Sequence, residues 1–206
     1  GLAPYALKLV VQPLRTPPVL HFSTPLGDSQ TIRYRIRSYL RKPCTYTVAL
    51  AADDFLADGA TVAAPAAEDS SGVEVAVDVT FEPTKLGASS AQLKVSNAEA
   101  GEYLCDLHGE GLPPKPQGPI AIKAGATAII PFRNVFPTSL DFTMRCEPAS
   151  IFSVAKEKET INNKKGTQIT VSYKPLADTD PTDMGKLTVG SSMASWTYYL
   201  QGEPAS

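Results

Sequence analysis

Catalysis by side chains needs a nucleophile, a base or a set of metal ligands, and this sequence is poor in each. It holds two histidines, His21 and His108, and three cysteines, Cys44, Cys105 and Cys146. Cys105 and His108 are near enough in sequence to be weighed as a thiol and its base. On one strand a spacing of three sends side chains to opposite faces, so the pair does not converge. No Cys-x-x-Cys or His-x-x-x-His spacing prepares a metal site, and no glycine-rich loop leads from a strand into a helix to hold phosphate. Asp178-Thr-Asp180-Pro-Thr-Asp183 gathers hard oxygen donors of the kind Ca²⁺ prefers. Its spacing is not that of an EF-hand loop, and it reads as a solvated loop between strands. The sequence therefore predicts no catalytic residue, no metal and no cofactor, and the chain reads as not an enzyme.

The basic side chains are more suggestive. Arg33, Arg35 and Arg37 alternate along one stretch, with Arg41 and Lys42 just beyond. Residues two apart on a strand share a face, so a strand here carries a stripe of positive charge. Such a stripe suits an acidic partner, acidic tubulin tails included. It equally suits a solvent-facing strand whose charges discourage edge pairing. Arg33, Arg35, Arg37 and Arg41 are the candidate protein-binding residues.

The odd number of cysteines argues against a complete disulfide framework. Cys44 and Cys105 are separated as an immunoglobulin inter-sheet bridge would be, but no Trp lies between them to pack on it. All three read as small buried hydrophobes in a reducing compartment. Of 206 residues, 43% are apolar and 19% charged, and the net charge is −2. That composition can fill cores but lacks the basic excess expected for nucleic acid or an anionic membrane. No run approaches the roughly 18 apolar residues of a membrane-spanning helix. Gly1-Leu2-Ala3-Pro4 has neither the basic nor the apolar segment of a signal peptide, and a start on Gly reads as a fragment of a longer protein.

The elements that would position these residues are strands. Ile32, Tyr34 and Ile36 alternate with the arginines; Tyr46, Val48 and Leu50 alternate with Thr45, Thr47 and Ala49. Val73, Val75, Val77, Val79 and Phe81 form a longer run, followed by Leu93-Lys94-Val95 and Tyr103-Leu-Cys105-Asp-Leu107. The Ala-rich stretch 57–67, interrupted by Gly59 and Pro65, reads as loop. Many short strands at regular spacing predict an all-β sandwich.

An internal repeat doubles it. Residues 31–48 align without gaps on 127–144, placing Tyr34, Ile36, Tyr46 and Val48 on Ile130, Phe132, Phe142 and Met144. Val79-Thr-Phe81-Glu-Pro83 matches Val171-Ser-Tyr173-Lys-Pro175, and Leu107-His-Gly109-Glu110 matches Leu200-Gln-Gly202-Glu203. In the second copy Ile129, Pro131 and Arg133 replace the arginines, Leu140 and Tyr198 replace Cys44 and Cys105, and Gln201 replaces His108. Pro131 suggests an edge strand, and Ile129 an apolar outer face. Gly109 and Gly202 close the last strand of each copy, where a positive φ would suit glycine. Leu112-Pro-Pro-Lys-Pro-Gln-Gly-Pro119 separates the copies as a semi-rigid proline-rich linker. The expected division is residues 1–112 for the first sandwich, 113–119 for the linker and 120–206 for the second.

The closing half of each copy resembles an ASH domain, whose fold is like that of major sperm protein. The resemblance lies in Val-Thr-Phe-Glu-Pro-Thr-Lys-Leu-Gly, Ala-Gln-Leu-Lys-Val-Ser and Glu-Tyr-Leu-Cys-Asp-Leu-His-Gly-Glu-Gly-Leu-Pro-Pro, and in the matching ending of the second copy. It covers both copies, and so nearly the whole chain. The wording is most similar to large cilia- and flagella-associated proteins of the hydin kind, and among these to the calponin-homology-containing type of the axonemal central apparatus. The resemblance implies a tandem of immunoglobulin-like β-sandwich domains in a ciliary scaffold. It implies axonemal or cytoskeletal protein partners, tubulin among them, and no nucleic acid or membrane. The fragment itself is expected to be monomeric. An extracellular adhesion or receptor pair is the alternative, and it would need paired cysteines.

Overall fold

The structure is a computed structural model that describes residues 16–176 and 183–205. Among the described residues none is helical, and sixteen strands carry the fold. The first eight are β1 (Val19–Pro25), β2 (Gln30–Ser38), β3 (Cys44–Ala49), β4 (Phe55–Ala57), β5 (Thr61–Ala64), β6 (Val73–Phe81), β7 (Gly87–Asn97) and β8 (Gly101–Leu112). The rest are β9 (Gln117–Lys123), β10 (Thr127–Arg133), β11 (Leu140–Glu147), β12 (Phe152–Val154), β13 (Lys158–Ile161), β14 (Gly166–Tyr173), β15 (Met184–Gly190) and β16 (Ser195–Glu203). One sheet runs β1-β8-β7-β3-β5 and faces a second, β2-β6-β4. The next eight strands repeat the pattern as β9-β16-β15-β11-β13 and β10-β14-β12. The fold is a tandem of immunoglobulin-like sandwiches. In each, the first strand lies parallel to the last, β1 on β8 and β9 on β16, and every other ladder is antiparallel.

Alternation of side chains makes the cores. On β2, Tyr34 and Ile36 are buried while Arg33, Arg35 and Arg37 face solvent; on β10, Ile130 and Phe132 are buried while Ile129, Pro131 and Arg133 are exposed. The aligned positions Tyr46 and Phe142, Val48 and Met144, Leu93 and Leu187, Leu107 and Leu200 are all buried. Each core holds a buried aromatic pair, Phe55 tilted on Phe81 at 4.8 Å and Phe152 stacked on Tyr173 at 4.9 Å between centroids. Such a pair contributes about 0.5–1.5 kcal/mol beyond the area it buries.

That pair explains the glycines of the last strands, and differently from the sequence expectation. Neither Gly109 nor Gly202 has a positive φ. A Cβ on Gly109 would lie 2.5 Å from the Phe81 ring, and one on Gly202 would lie 2.3 Å from the Tyr173 ring. The requirement is room for an aromatic ring against the backbone, not a left-handed turn. A second difference concerns 57–67, read as loop from its Ala, Gly and Pro. Thr61–Ala64 is a strand, β5, paired on β3. A four-residue edge strand asks little of intrinsic propensity once its partner is in place. Finally, β9 begins at Gln117, so the tail of the proline-rich stretch is laddered against β16.

Candidate functional site: the arginine strand and the joint

The candidate arginines sit where alternation puts them, on the outer face of β2, but they are not bare. Arg33 grips Asp78 of β6 through two bonds, Nε to Oδ1 at 2.7 Å and Nη2 to Oδ2 at 2.9 Å. The guanidinium holds the Asp78 carboxyl below its usual range. Arg35 lies opposite Ala76 and reaches Glu74 at 3.5 Å. Arg37 donates to the Ser71 carbonyl at 2.9 Å, and Arg41, in the loop after β2, donates to the Glu68 carbonyl at 2.5 Å. Arg33, Arg35 and Arg37 therefore share one face, and Arg41 stands beyond the end of the strand. Part of the stripe's charge is met by acids on β6, and Arg37 and Arg41 donate to carbonyl oxygens. Exposed pairs of this kind add little stability. The signal for this partnering was present in Val73-Glu-Val-Ala-Val-Asp-Val79, whose acids alternate as the arginines do; the register needed to match them was not.

A feature that sequence reasoning missed joins the two sandwiches. The β1–β2 connection turns tightly, with the Asp28 N–H donating to the Pro25 carbonyl at 3.0 Å and Gly27 at φ +97. Glycine supplies the positive φ this turn needs at its third position. The turn presents Leu26, and that side chain is not in the core of its own sandwich. It is 3% exposed within the core of the second, in one cluster with Phe132, Phe136 and Trp196. The Leu26 N–H donates to the carbonyl of Leu112, the last residue of β8, at 2.9 Å. A Cβ on Gly27 would stand 3.7 Å from Trp196 Nε1. Beside this plug lies a cleft of about 430 Å³ lined by Asp28, Lys115, Gln117, Arg133 and Tyr198 among others. Leu26-Gly-Asp carries no mark in the sequence of the core its Leu enters, which is a tertiary fact.

The residues weighed for chemistry do not assemble a centre. Cys105 is buried and His108 exposed, so they do stand on opposite faces. Burial pushes the Cys105 thiol up to about 11, and likewise Cys146, which keeps both protonated and unreactive near neutrality. Cys44 and Cys105 lie in one sheet with β7 between their strands, not across the sandwich as their spacing suggested. Two strand spacings total about 9.5 Å, beyond disulfide reach. His21 and His108 are neighbours across the β1–β8 ladder, with ring centroids 5.5 Å apart, a meeting the sequence did not show. Among the described residues no group of three or more His, Cys, Asp or Glu could hold a metal ion. Asp178 and Asp180 lie outside the described residues, and Asp183 accepts the Gly202 N–H through its carbonyl at 2.8 Å. Asp54, also unforeseen, is buried and accepts hydrogen bonds from the Thr84 and Ser89 hydroxyls, tying the β6–β7 turn and β7 to the loop before β4. Those bonds make it a structural brace.

No family model matches the chain. It is homologous to hydrocephalus-inducing protein. The Mus musculus protein of that name is 38% identical over 208 residues, 96% of this chain. The Homo sapiens homolog is 37% identical over 211 residues, 98% of this chain. The chain spans 4% of the length of each of these relatives. Among solved structures it is similar to an endo-fucoidan hydrolase of glycoside hydrolase family 107, at 8% identity and a TM-score of 0.45, covering 92% of this chain and 28% of that one. A likeness of that size carries neither activity nor partner.

Proposed function

From its homology to hydrocephalus-inducing protein along nearly its whole length, we propose that this chain is a non-catalytic structural and protein-interaction module of a large ciliary scaffold. In this reading the tandem is of the ASH type. Its parent belongs with hydin-kind proteins of the axonemal central apparatus, the calponin-homology-containing type included. Its partners are axonemal or cytoskeletal proteins, tubulin among them. Residues 1–112 and 120–206 act as the two sandwiches, with 113–119 between them.

The observation that carries the structural half is Leu26 seated in the second core. A side chain from one sandwich that completes the hydrophobic core of the next couples their positions, which a spacer needs and a flexible tether lacks. The interaction half rests on the outer face of the first sandwich, with Arg33, Arg35, Arg37 and Arg41 as its proposed contacts. Affinity capture from purified axoneme extract tests it, comparing the two-sandwich chain with a variant carrying Arg33→Glu, Arg35→Glu and Arg37→Glu. Axonemal proteins held by the first and lost by the second, with circular dichroism unchanged, support the reading. Identical retention moves the contacts off β2. An empty capture for both overturns the interaction role.

A further inference from the structure

The two three-stranded sheets each leave a long edge, β2 in the first sandwich and β10 in the second. Which backbone groups that edge presents follows from bonds made elsewhere. In an antiparallel ladder, directly opposed residues either exchange both backbone bonds or neither. Asp78 lies opposite Arg33, and its carbonyl accepts the Asp58 N–H on the far side of β6. Arg33 and Asp78 are therefore a non-bonded pair, and the N–H and C=O of Arg33 point away from β6 toward the free edge. Alternation extends this to Thr31, Arg35 and Arg37. Two contacts agree: the Tyr103 hydroxyl donates to the Arg37 carbonyl, and Thr31 and Thr80 share a hydroxyl bond at 2.8 Å, as close non-bonded pairs allow.

The same reasoning applied to β10 gives the opposite outcome. The Thr170 carbonyl accepts the Ala155 N–H, so Thr170 and its opposed residue Ile129 are a non-bonded pair. Ile129 and Pro131 then face the free edge, and Pro131 has no N–H to offer. Other edges are shorter or blocked: β4, β5, β12 and β13 have three or four residues, β9 contains Pro119, and the Ser23 N–H of β1 is taken by Gln30 Oε1 at 2.7 Å. Among the described residues, β2 is left as a nine-residue edge without proline, its last outward carbonyl, that of Arg37, held by the Tyr103 hydroxyl.

We propose that the free edge of β2 is a strand-addition site for an extended partner segment in which acidic and apolar residues alternate. The pattern is set by what β2 already pairs with. On its inner edge it takes Val73–Phe81, whose Glu74 and Asp78 face the arginines while Val75, Val77 and Val79 fill the core. A guest on the outer edge meets the same outward face, on which Arg35 has Ala76 directly opposite and keeps 63% of its side chain exposed. Acids at alternate guest positions complete these charges, and apolar residues between them extend the row of Ile32, Tyr34 and Ile36. Main-chain bonds supply affinity in this mode, and alternate side chains supply selectivity. A second copy of β2 is disfavoured as guest because it would set arginine against arginine. The proposal rests on reading the chain as an interaction module and names the kind of segment it takes.

The test uses the whole chain and a fluorescein-labelled peptide, Gly-Val-Glu-Val-Glu-Val-Glu-Val-Gly, with a Lys-for-Glu version as control. Anisotropy is expected to rise with the acidic peptide and not with the basic one. Arg35→Pro, which copies Pro131, should weaken binding about tenfold or more, and Arg35→Ala about threefold. On addition of peptide to the unaltered chain, the amides of Arg33, Arg35 and Arg37 should gain protection from hydrogen exchange, a readout that survives if Arg35→Pro fails to fold. Binding that ignores Arg35→Pro and leaves those amides unprotected would mean docking through side chains alone, and overturns the proposal. So does an absence of binding, or binding that appears only after residues 1–15 are removed, since the edge would then belong to this chain's own leading segment. Axonemal capture that succeeds while the peptide fails sinks this inference and leaves the broader function standing.

Discussion

Where the first sandwich has Arg35, the second has Pro131, and where the first has Ser38, the second has Asn134; the strands around them pair residue for residue. Both Ser38 and Asn134 are fully buried. Ser38 sits 3.8 Å from the Cys44 sulfur, a weak contact. Asn134 does far more. Its Nδ2 donates to the carbonyls of Thr138, Ile161 and Asn162, and its Oδ1 accepts the Phe136 N–H. That fixes Phe136 in the core cluster that receives Leu26. The two copies thus share inner faces and differ at one end and one edge. The second is shaped to receive its neighbour and to close its edge to pairing. The first supplies the plug and leaves its edge open. Divergence between the copies marks what each does, whereas agreement marks only what folding requires.

The shared part breaks first. Gly109→Ala and Gly202→Ala each force a ring away from the backbone and should cost about 3 kcal/mol, each in its own sandwich. Hydrogen exchange resolves which sandwich loosens; equal tolerance of both changes would deny that the aromatic pair needs these glycines. Leu26→Ala should cost about 2.5 kcal/mol, felt in the second sandwich although the residue belongs to the first. The fluorescence of Trp196, the chain's one Trp, reports it. Small-angle scattering should show a wider spread of shapes at the same time, and an unchanged profile would deny the coupling. Asn134→Ala should destabilise by about 2 kcal/mol, because buried groups lose their partners, while Ser38→Ala stays within about 0.5 kcal/mol. Equal effects in thermal melts would erase the asymmetry.

Alkali touches both copies. Burial raises Cys105 and Cys146 from an ordinary 9.0 to about 11. The folded values lie above the unfolded ones, so the stabilisation is whole below about pH 9 and is lost as pH rises through about 11. Tyr34, pushed up to about 12, extends the loss in the first sandwich, and Tyr198, also raised by burial, extends it in the second. Melting temperature should fall from about pH 9 upward, and Cys146→Val should flatten that fall in the second sandwich alone.

The inner faces were legible because burial writes itself into alternate residues. Tyr34, Ile36, Tyr46 and Val48 and their counterparts could be placed from spacing alone. The glycines were legible as important but not for the right cause, since a Cβ clash with Phe81 or Tyr173 depends on packing that no local pattern records. The arginine stripe was visible; its reach to Asp78 and Glu74 was not, because it turns on β2–β6 register. Leu26 was the least legible of all. A leucine in a turn looks like any exposed leucine until the neighbouring core is known.

The parallel pairing of first and last strands has a mechanical meaning. Among the described residues the chain enters the first sandwich through β1 and leaves it through β8, and the two run in the same direction with seven opposed pairs, Val19 with Asp106 through Pro25 with Leu112. Tension on the two ends drags these strands past one another lengthwise. Their hydrogen bonds then bear the load together, in shear, instead of opening one after another like a zipper. With β9 and β16 arranged likewise, a pull along the tandem meets a clamp in each sandwich.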